Sequence, residues 1–526
     1  MEFRLTYVLF LGLLTTALYR FLIYPALISP LAKIPTAHWS CRFCSLWINW
    51  MRWTSQENRT VYQRHMQLGP AVRLSPTLIS LNCFEEGLKK VYQGGFPKPV
   101  FYWRGFAIYN TENIFTFEDN ATHAARKRMI SNTFSKSFVL SSPTARAATR
   151  DVLFNRYLPI LRQAADQRRP IEVLEMNYAY SMDTFTQWQY GRSLGSNLLG
   201  NEKERKLYLD GFFAPYPYLF WQYYFPEMAS LFRKVGLFLI PRSVDTAFRA
   251  IEDWNLEKCD GAQRLLSSGK KIAPEDQPVV FEQALRSMSD VNARSQMYPQ
   301  RLKIASDMFA HNSAAFETSG NTETYLFYEM CRHLEWQAKL RDELKPLRAS
   351  LVDRRHNIDI EDIPDPRDIE ALPILHAILT ETLRLWPSVP GGQPRVVPKE
   401  CSLGGYDNIP AGTIVQSYAY SLHQTPEVFP DPQDWKPERW LESSPEQLAT
   451  MRRWFWPFSS GGRMCIGSNF AYYSMKFLVA TVYANFTTTI HDHGSMELLD
   501  SYLAGPKGHR LELVFHHLTD ADKEIV

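Results

Sequence analysis

The most apolar stretch of the chain runs from Leu5 to Ile28, and Arg20 is the only charged residue in it. A transmembrane helix needs about 20 apolar residues, so this stretch can cross a bilayer if Arg20 extends to the headgroups at one end. A cleaved signal peptide is the alternative, but prolines between positions 25 and 35 stand where a small-residue cleavage site is expected. The pattern predicts a membrane anchor over residues 1–28 and a folded body over residues 29–526.

Later segments have the length and composition of helices, and they are 301–332, 375–386 and 470–483. Residues 69–81 predict two short strands of a hairpin that Ser75-Pro76 interrupts, and residues 405–413 predict a second hairpin.

An aromatic-rich segment covers residues 207–240, where Pro215, Pro217 and Pro226 interrupt the pattern. A single core helix would not contain these prolines. Aromatic rings of this kind can dip into a membrane surface, whereas ordinary packing in a large core is the alternative.

Composition narrows the class of protein. The 526 residues are 45% hydrophobic and 14% aromatic, which suits a large core. Lys and Arg number 58 against 55 Asp and Glu, so bulk charge gives no case for nucleic-acid binding. Seven scattered cysteines are typical of reduced thiols rather than of a disulfide framework.

Candidate chemistry concentrates near the carboxyl end, in the run Phe458 to Gly467 that contains Cys465. A cysteine in a glycine-rich turn before a helix has backbone N–H groups, a helix N-terminus and the cation of Arg463 near its sulfur, and all of these stabilise a thiolate. Phe458 can shield the sulfur, and Gly467 lets the backbone approach a flat group closely. The pattern therefore indicates a ligand or a nucleophile, with a buried structural cysteine as the alternative.

The spacing F-x-x-G-x-R-x-C-x-G resembles the haem-binding loop of the cytochrome P450 family. The resemblance implies a mainly α fold, with a large helical haem domain and a small β-rich portion after the anchor. It also implies haem b (iron protoporphyrin IX) ligated by the Cys465 thiolate.

A second motif supports this resemblance on the predicted helix 301–332, at Ala314 to Ser319. In the family this helix crosses the distal face of the haem, and here Ala315 replaces the usual glycine. Glu317 and Thr318 match the acid and alcohol that deliver protons. A solvent-facing Glu and a Thr that only packs the helix are the alternatives.

Further motifs occur in the order that the family shows. Glu381 and Arg384 form an E-x-x-R pair on one helix face, and Arg439 follows in Pro-Glu-Arg-Trp. The resemblance gives these three charges a structural role in folding and haem retention.

The resemblance also implies basic contacts to the haem propionates. The residues that match are His123 with Lys127 or Arg128, and then Arg395, His423 and Arg463. A solvated basic helix face around His123, and a surface position for His423, are the alternatives.

These features predict a membrane-anchored haem-thiolate monooxygenase that inserts one oxygen atom from O2 into a small apolar substrate. The chain resembles filamentous-fungal members that make secondary metabolites. Oxidative coupling or rearrangement at the same haem is an alternative reaction, and a non-catalytic haem- or lipid-binding protein is an alternative class.

Electrons would come from NADPH through NADPH-cytochrome P450 reductase, because the chain contains no flavin or nicotinamide fingerprint. The docking cations expected for it are Arg126, Arg128, Arg452, Arg453 and Lys476. Lys33 and Arg42 follow the span, which favours a single-pass protein of the endoplasmic reticulum membrane with a cytosolic catalytic domain.

Overall fold

The computed structural model describes residues 2–292, 300–352 and 358–518, and it is mainly helical. The α-helices of the first half are α1 Glu2–Leu18, α2 Leu46–Trp53, α3 Glu57–Leu68, α4 Phe101–Phe106, α5 Asn120–Ile130, α6 Lys136–Ser141, α7 Pro143–Ala148, α8 Leu158–Asp166, α9 Val173–Tyr190, α10 Glu202–Phe213, α11 Leu219–Tyr224, α12 Pro226–Lys234 and α13 Arg242–Ser267. Those of the second half are α14 Val279–Asn292, α15 Gln300–Arg332, α16 Leu334–Leu344, α17 Arg348–Leu351, α18 Pro366–Glu370, α19 Pro373–Leu385, α20 Ala419–His423, α21 Arg439–Glu442, α22 Pro445–Trp454 and α23 Ser468–Asn485.

The strands form small sheets at the edge of the helical body. They are β1 Ala71–Ser75, β2 Leu78–Leu81, β3 Ile171–Glu172, β4 Arg395–Val396, β5 Cys401–Leu403, β6 Tyr406–Ile409, β7 Ile414–Gln416, β8 Phe486–Asp492 and β9 Glu512–His517. The predicted hairpin at 69–81 is the antiparallel pair β1 and β2, and its register shifts between Arg73 and Ser75. This pair continues into a four-stranded sheet of order β1-β2-β7-β4, which brings Arg395 on β4 next to the helical core.

The long helix α15 lies through the middle of the body against α9. Polar pairs fix this contact: Gln189 Nε2 donates to Asn312 Oδ1 at 2.8 Å, and Asn177 Nδ2 donates to Thr324 Oγ1 at 2.9 Å. Such buried amide and hydroxyl pairs are satisfied only in one register of the two helices. The register of α15, and with it the position of Glu317, is therefore set by side-chain hydrogen bonds as well as by apolar packing.

The predicted anchor forms one continuous helical segment, because α1 continues into a π-helical segment at Tyr19–Ile28, where Pro25 and Ala26 are buried. Thr6–Ile28 is long and apolar enough to cross a membrane. The buried guanidinium of Arg73 on β1 donates to the carbonyl oxygen of Pro25 at 2.9 Å. Burial lowers the pKa of Arg73 to about 10. The end of the anchor is thus attached to the first sheet by a buried hydrogen bond.

Candidate active site

A cavity of about 740 Å³ lies between α15, the cysteine loop and the 207–240 segment. Its wall is mostly aromatic and aliphatic, and the rings include Phe106, Phe115, Phe134, Phe185, Phe212, Tyr223, Phe309, Phe458 and Tyr502. Predicted site residues from four separate parts of the chain meet in the wall: His123, Lys127, Ala315, Glu317, Thr318, Arg395, Phe458, Arg463, Cys465 and Gly467. The fold therefore gathers most of the predicted site around one space.

Cys465 follows a short 3₁₀ turn and precedes α23. Its backbone N–H donates to the Phe458 carbonyl oxygen at 2.9 Å, which closes the loop. Gly461 has a φ of 71°, and a Cβ there would overlap the Tyr92 carbonyl oxygen, so the turn requires glycine at this position. A Cβ on Gly467 would lie 4.0 Å from the Cys465 sulfur, so glycine leaves the space beside the sulfur open.

The sulfur of Cys465 borders the cavity and is exposed to it, yet protein encloses that space. Burial is therefore the largest influence and raises the pKa of the thiol, while the backbone N–H of Gly467, the Lys127 charge and the N–H of Ser468 act to lower it. The expected thiolate stabilisers are present, but the nearby cation is Lys127 instead of Arg463. Coordination to a metal ion deprotonates such a thiol outright.

Lys127 holds the loop from the side of α5. Its Nζ donates to the carbonyl oxygens of Gly462 at 3.0 Å and Met464 at 2.8 Å. The guanidinium of Arg463 turns the other way, and donates to the Phe117 carbonyl at 2.7 Å and to Asn120 Oδ1 at 3.0 Å. Lys127 and Arg463 thus attach the cysteine loop to both ends of the segment 117–127.

Basic side chains cluster at one end of the cavity wall, and they are Lys98, His123, Lys127, Arg395 and Arg463. Within residues 2–292, 300–352 and 358–518, no ion pair to a carboxylate is formed by any of them. Burial, together with the charges of its basic neighbours, lowers the pKa of Lys98 well below its usual range and that of His123 to about 3. Basic groups whose pKa values are lowered by burial and by one another regain their charge beside a negative partner, so this cluster fits two carboxylates, which is what the propionates of a haem supply.

Two residues predicted for this cluster lie elsewhere. Arg128 is exposed on α5 and does not border the cavity, so of the two alternatives the structure favours Lys127. His423 is buried, its Nδ1 donates to the Arg384 carbonyl oxygen at 2.9 Å, and its Nε2 accepts from the Trp456 N–H at 2.8 Å. With both nitrogens occupied and no contact with the cavity, His423 is removed from the set of cofactor contacts.

Lys98 of the basic cluster, and Tyr102 which contacts the cluster, were not predicted. The Lys98 ammonium lies 4.1 Å from the centroid of the Tyr102 ring, and the Tyr102 hydroxyl accepts from Arg395 Nη1 at 2.8 Å. Their local sequence contains no motif, apart from the prolines on both sides of Lys98. The basic cluster is thus larger than the motifs indicated.

Glu317 and Thr318 both border the cavity, on the same turn of α15 as Ala315. Glu317 is 4% exposed, and burial raises the pKa of its carboxyl to about 7. The Thr318 hydroxyl donates to the Ala314 carbonyl oxygen at 2.6 Å, so its oxygen lone pairs are available to the cavity. The helix runs without interruption through Ala315.

The aromatic segment 207–240 is divided between the cavity and the surface. Phe212, Tyr216 and Tyr223 border the cavity, so this segment covers it on the side away from the cysteine loop. On its outer side, the rings of Phe220 and Trp221 lie 5.0 and 5.3 Å from Trp53 of α2. We call residues 207–240 the lid.

The three predicted structural charges form one buried network. Arg384 donates to Glu381 from Nε at 2.9 Å and from Nη2 at 2.7 Å, and Arg439 Nε donates to the same carboxylate at 2.9 Å. Trp440 Nε1 adds a fourth hydrogen bond at 2.9 Å. Glu381 and Arg384 are fully buried, so their charges are tolerated only because each is paired and hydrogen-bonded.

Two of the cations expected to dock a redox partner are already engaged. Arg126 Nε lies 2.7 Å from the buried carboxylate of Asp307, and Lys476 is 1% exposed and pairs with Glu370 at 3.0 Å. Arg128, Arg452 and Arg453 are exposed. Only these last three of the five predicted residues can meet a partner.

Comparison with known proteins agrees with this geometry. The family model described as "Cytochrome P450" matches residues 35–512. "Cytochrome P450 monooxygenase FGM1" of Gibberella zeae is 25% identical over 90% of both chains. "Tryprostatin B 6-hydroxylase" of Aspergillus fumigatus is 26% identical over 88% of this chain and 76% of its own. "Cytochrome P450 monooxygenase penB" of Penicillium thymicola is 26% identical over 83% of this chain and 94% of its own.

The chain belongs to the cytochrome P450 family, since the family model covers most of its length. It is an oxidoreductase of the monooxygenase type, and its relatives include fungal members. The family implies a haem-thiolate cofactor, and the open space beside the sulfur together with the unpaired basic cluster fits that group.

Proposed function

We propose that this protein is a haem-thiolate monooxygenase of fungal secondary metabolism, with Cys465 as the iron ligand. The observation that carries the proposal is one cavity that combines the Cys465 thiol with a basic cluster whose members, among the described residues, form no ion pair to a carboxylate. Lys98, His123, Lys127, Arg395 and Arg463 would hold the propionates. When bound, the thiolate-ligated haem activates O2 so that one oxygen atom enters a C–H bond of the substrate.

Residues of α15 supply the proton chemistry in this proposal. The Glu317 carboxyl, with its pKa raised to about 7 by burial, can hold and release a proton near neutral pH. The Thr318 hydroxyl is on the next residue and donates to the Ala314 carbonyl oxygen, so its lone pairs can accept a hydrogen bond from a water in the cavity and position that water to relay the proton of Glu317. The side chain of Ala315 is a single methyl group, so it projects only a short way into the cavity.

The substrate is a small, largely apolar organic molecule. The cavity wall is made mostly of aromatic and aliphatic side chains, so it excludes water and favours apolar surface. One relative is named for the 6-hydroxylation of tryprostatin B, and this supports a small secondary metabolite as the substrate class.

Electrons reach the site from NADPH through NADPH-cytochrome P450 reductase. Arg452 and Arg453 are exposed at the end of α22, a few residues before the cysteine loop, and Arg128 is next to Lys127, which contacts that loop. An acidic partner surface would be attracted to these three cations, and this attraction would weaken with salt.

The protein is anchored in the endoplasmic reticulum membrane with its catalytic body in the cytosol. Besides the exposed helix Thr6–Ile28, apolar side chains of α2 and of the lid are exposed. Trp39, Leu46 and Trp50 are each more than 60% exposed. Because Trp53 of α2 packs against the lid, these side chains and the lid can meet the same membrane surface, from which an apolar substrate can enter.

The carbon monoxide difference spectrum of the reduced, detergent-solubilised protein tests the iron ligand. We expect the strongly red-shifted Soret band of thiolate-ligated haem, its loss in Cys465→Ser, and its retention in Cys401→Ser, a half-buried cysteine outside the cavity. An ordinary Soret position in both the wild type and Cys465→Ser would refute the assignment of Cys465. With reductase present, oxygen uptake without oxygen incorporated into product would instead favour coupling or rearrangement.

A further inference from the structure

Tyr216 of the lid has a buried hydroxyl group with no hydrogen-bond partner in the described part of the chain. It lies in a short 3₁₀ turn, Tyr216–Tyr218, which Pro215 precedes. The Tyr216 ring packs against Phe213 and Phe212, with ring centroids 5.0 and 5.8 Å away. A phenol hydroxyl placed in a cavity wall without a partner is costly unless something in the cavity or its wall uses it.

The Tyr216 hydroxyl shares the cavity wall with the carboxyl of Glu317. Phe212 and Phe213, which pack against the Tyr216 ring, also pack against Phe316, the residue before Glu317, with ring centroids 4.7 and 6.3 Å away.

Three tyrosines act electrostatically with Glu317: Tyr178 from α9, and Tyr216 and Tyr223 from the lid. The Tyr178 hydroxyl is already used, because it donates to Asn321 Oδ1 at 2.7 Å. Tyr216 and Tyr223 both border the same cavity as Glu317, and of the two only Tyr216 has a buried hydroxyl without a hydrogen-bond partner among the described residues.

The rest of the surroundings offers Glu317 no competing partner. Among the described residues, no arginine, lysine or histidine forms an ion pair with its carboxylate, and no acid faces it. The neighbouring Thr318 hydroxyl donates to its own helix. Tyr216 is therefore the donor that the fold brings to the acid of the proposed proton path.

We propose that Tyr216 is a positioning residue whose hydroxyl hydrogen-bonds the Glu317 carboxyl while the lid covers the cavity, so that the proton-holding state of Glu317 depends on lid closure. This inference rests on the proposed function, in which Glu317 delivers protons. In the contact itself the phenol keeps its proton and only donates a hydrogen bond.

The outer part of the lid, α12, makes few buried contacts, and in this proposal the lid opens from there, so that the contact of Tyr216 with Glu317 responds to closure. No side chain of α12 is buried, and prolines at 215, 217 and 226 divide the lid into short pieces. Few buried contacts mean a low free energy of local opening. Opening would carry the Tyr216 hydroxyl away from Glu317, which stays on the rigid helix α15, and would leave the carboxyl in the less polar wall.

The test is an infrared pH titration of the haem-loaded full-length protein without substrate. The carbonyl band of protonated Glu317 is identified as the one lost in Glu317→Gln, and its midpoint is compared between wild type and Tyr216→Phe. Loss of one donor to the carboxylate should raise the midpoint by about half to one pH unit. Tyr218→Phe is the matched control, because Tyr218 is in the same turn but does not border the cavity, and it should leave the midpoint unchanged.

A second variant separates a role of the hydroxyl from a role of lid packing. Phe213→Leu keeps the Tyr216 hydroxyl but loosens the packing of the Tyr216 ring. We therefore expect a smaller rise of the Glu317 midpoint than in Tyr216→Phe. Equal midpoints in wild type, Tyr216→Phe and Phe213→Leu would overturn the proposal. The carbon monoxide spectrum of each variant reports on Cys465 and haem independently, so a failure of this inference is distinguishable from a failure of the proposed function.

Discussion

The ammonium group of Lys127 donates to the carbonyl oxygen of Met464 at 2.8 Å, directly before Cys465 in the chain. A second bond to the Gly462 carbonyl at 3.0 Å makes Lys127 the residue that joins α5 to the cysteine loop. One side chain thus fixes the loop, supplies a positive charge near the sulfur and belongs to the basic cluster of the cavity.

Replacing Lys127 by methionine should loosen this loop. Lys127→Met keeps the length of the side chain but removes two charge-assisted hydrogen bonds, which stabilise the loop by roughly 1–3 kcal/mol. We expect faster conversion of the red-shifted carbon monoxide complex to the ordinary Soret form on warming. Lys89→Met is the control, because Lys89 pairs only with the exposed Glu85. Equal conversion rates in the two variants would show that Lys127 does not hold the loop.

Removing Glu381 should be strongly destabilising. Glu381→Ala leaves the guanidinium groups of Arg384 and Arg439 buried without a counter-charge, and breaking a buried ion pair in this way costs about 3–5 kcal/mol. We expect a lower urea midpoint and a smaller yield of haem-loaded protein. In a double-mutant cycle, Glu381→Ala combined with Arg384→Met should cost clearly less than the sum of the single changes. The exposed pair Glu85 and Lys89 should show almost no coupling in the same cycle.

The Glu317 carboxyl should make stability depend on pH. Burial raises its pKa to about 7 from a usual value of 4.5. Between these values the folded protein keeps a proton that the unfolded chain has lost, so the free energy of unfolding falls as pH rises. Above about pH 7 the Glu317 carboxyl is ionised in both the folded and the unfolded protein. The free energy of unfolding has by then fallen by about 3 kcal/mol in total.

Glu317→Gln removes this titration, since the amide stays neutral. The variant should therefore gain stability relative to wild type as pH rises from 4.5 to 7, with a constant advantage at higher pH. Urea midpoints of the haem-loaded proteins, measured across that range, give the difference. Glu446→Gln, at an exposed position on α22, is the control, and its difference in urea midpoint from wild type should not change with pH. If the difference for Glu317→Gln is also independent of pH, the carboxyl of Glu317 is not buried and protonated.

Short motifs predicted the parts of the site whose geometry is local. Cys465, Phe458 and Gly467 lie within ten residues, so their spacing alone determines how the loop closes. Glu381 and Arg384 are three residues apart on a helix, and the predicted pairing follows from the helical repeat. The hairpin of β1 and β2 was likewise predicted from residues that are adjacent in the sequence.

Partners brought from distant parts of the chain could not be predicted in this way. Lys98 and Tyr216 reach the cavity only because the whole body folds around it. No motif marks Lys98, and the aromatic pattern of residues 207–240 marks that segment without singling out Tyr216. The opposite case is given by His423 and Lys476. Their positions in the sequence matched a propionate contact and a docking cation, but tertiary contacts occupy their polar groups. A sequence pattern indicates which groups are present, and packing decides which of them are available.

The apolar surface beside the anchor should bind membranes without the anchor. A variant that lacks residues 1–28 keeps the exposed side chains of Trp39, Leu46 and Trp50, together with Leu237 near the lid's end. Burial of such side chains in the headgroup region is favourable, so we expect this variant to sediment with uncharged phosphatidylcholine vesicles.

Charges placed on this surface should abolish the vesicle binding. Trp50→Glu with Leu237→Glu, made in the variant without residues 1–28, should leave the protein in the supernatant, because a carboxylate is expelled from the apolar region of the bilayer. Leu334→Glu is the control, since Leu334 is 56% exposed on α16, an element outside α2 and the lid. Retained binding in the double variant would mean that a surface other than this one attaches the body to vesicles. A complete absence of binding in the parent without residues 1–28 would mean that the N-terminal helix alone attaches the protein. Substrate entry through the lid would then have to start from water.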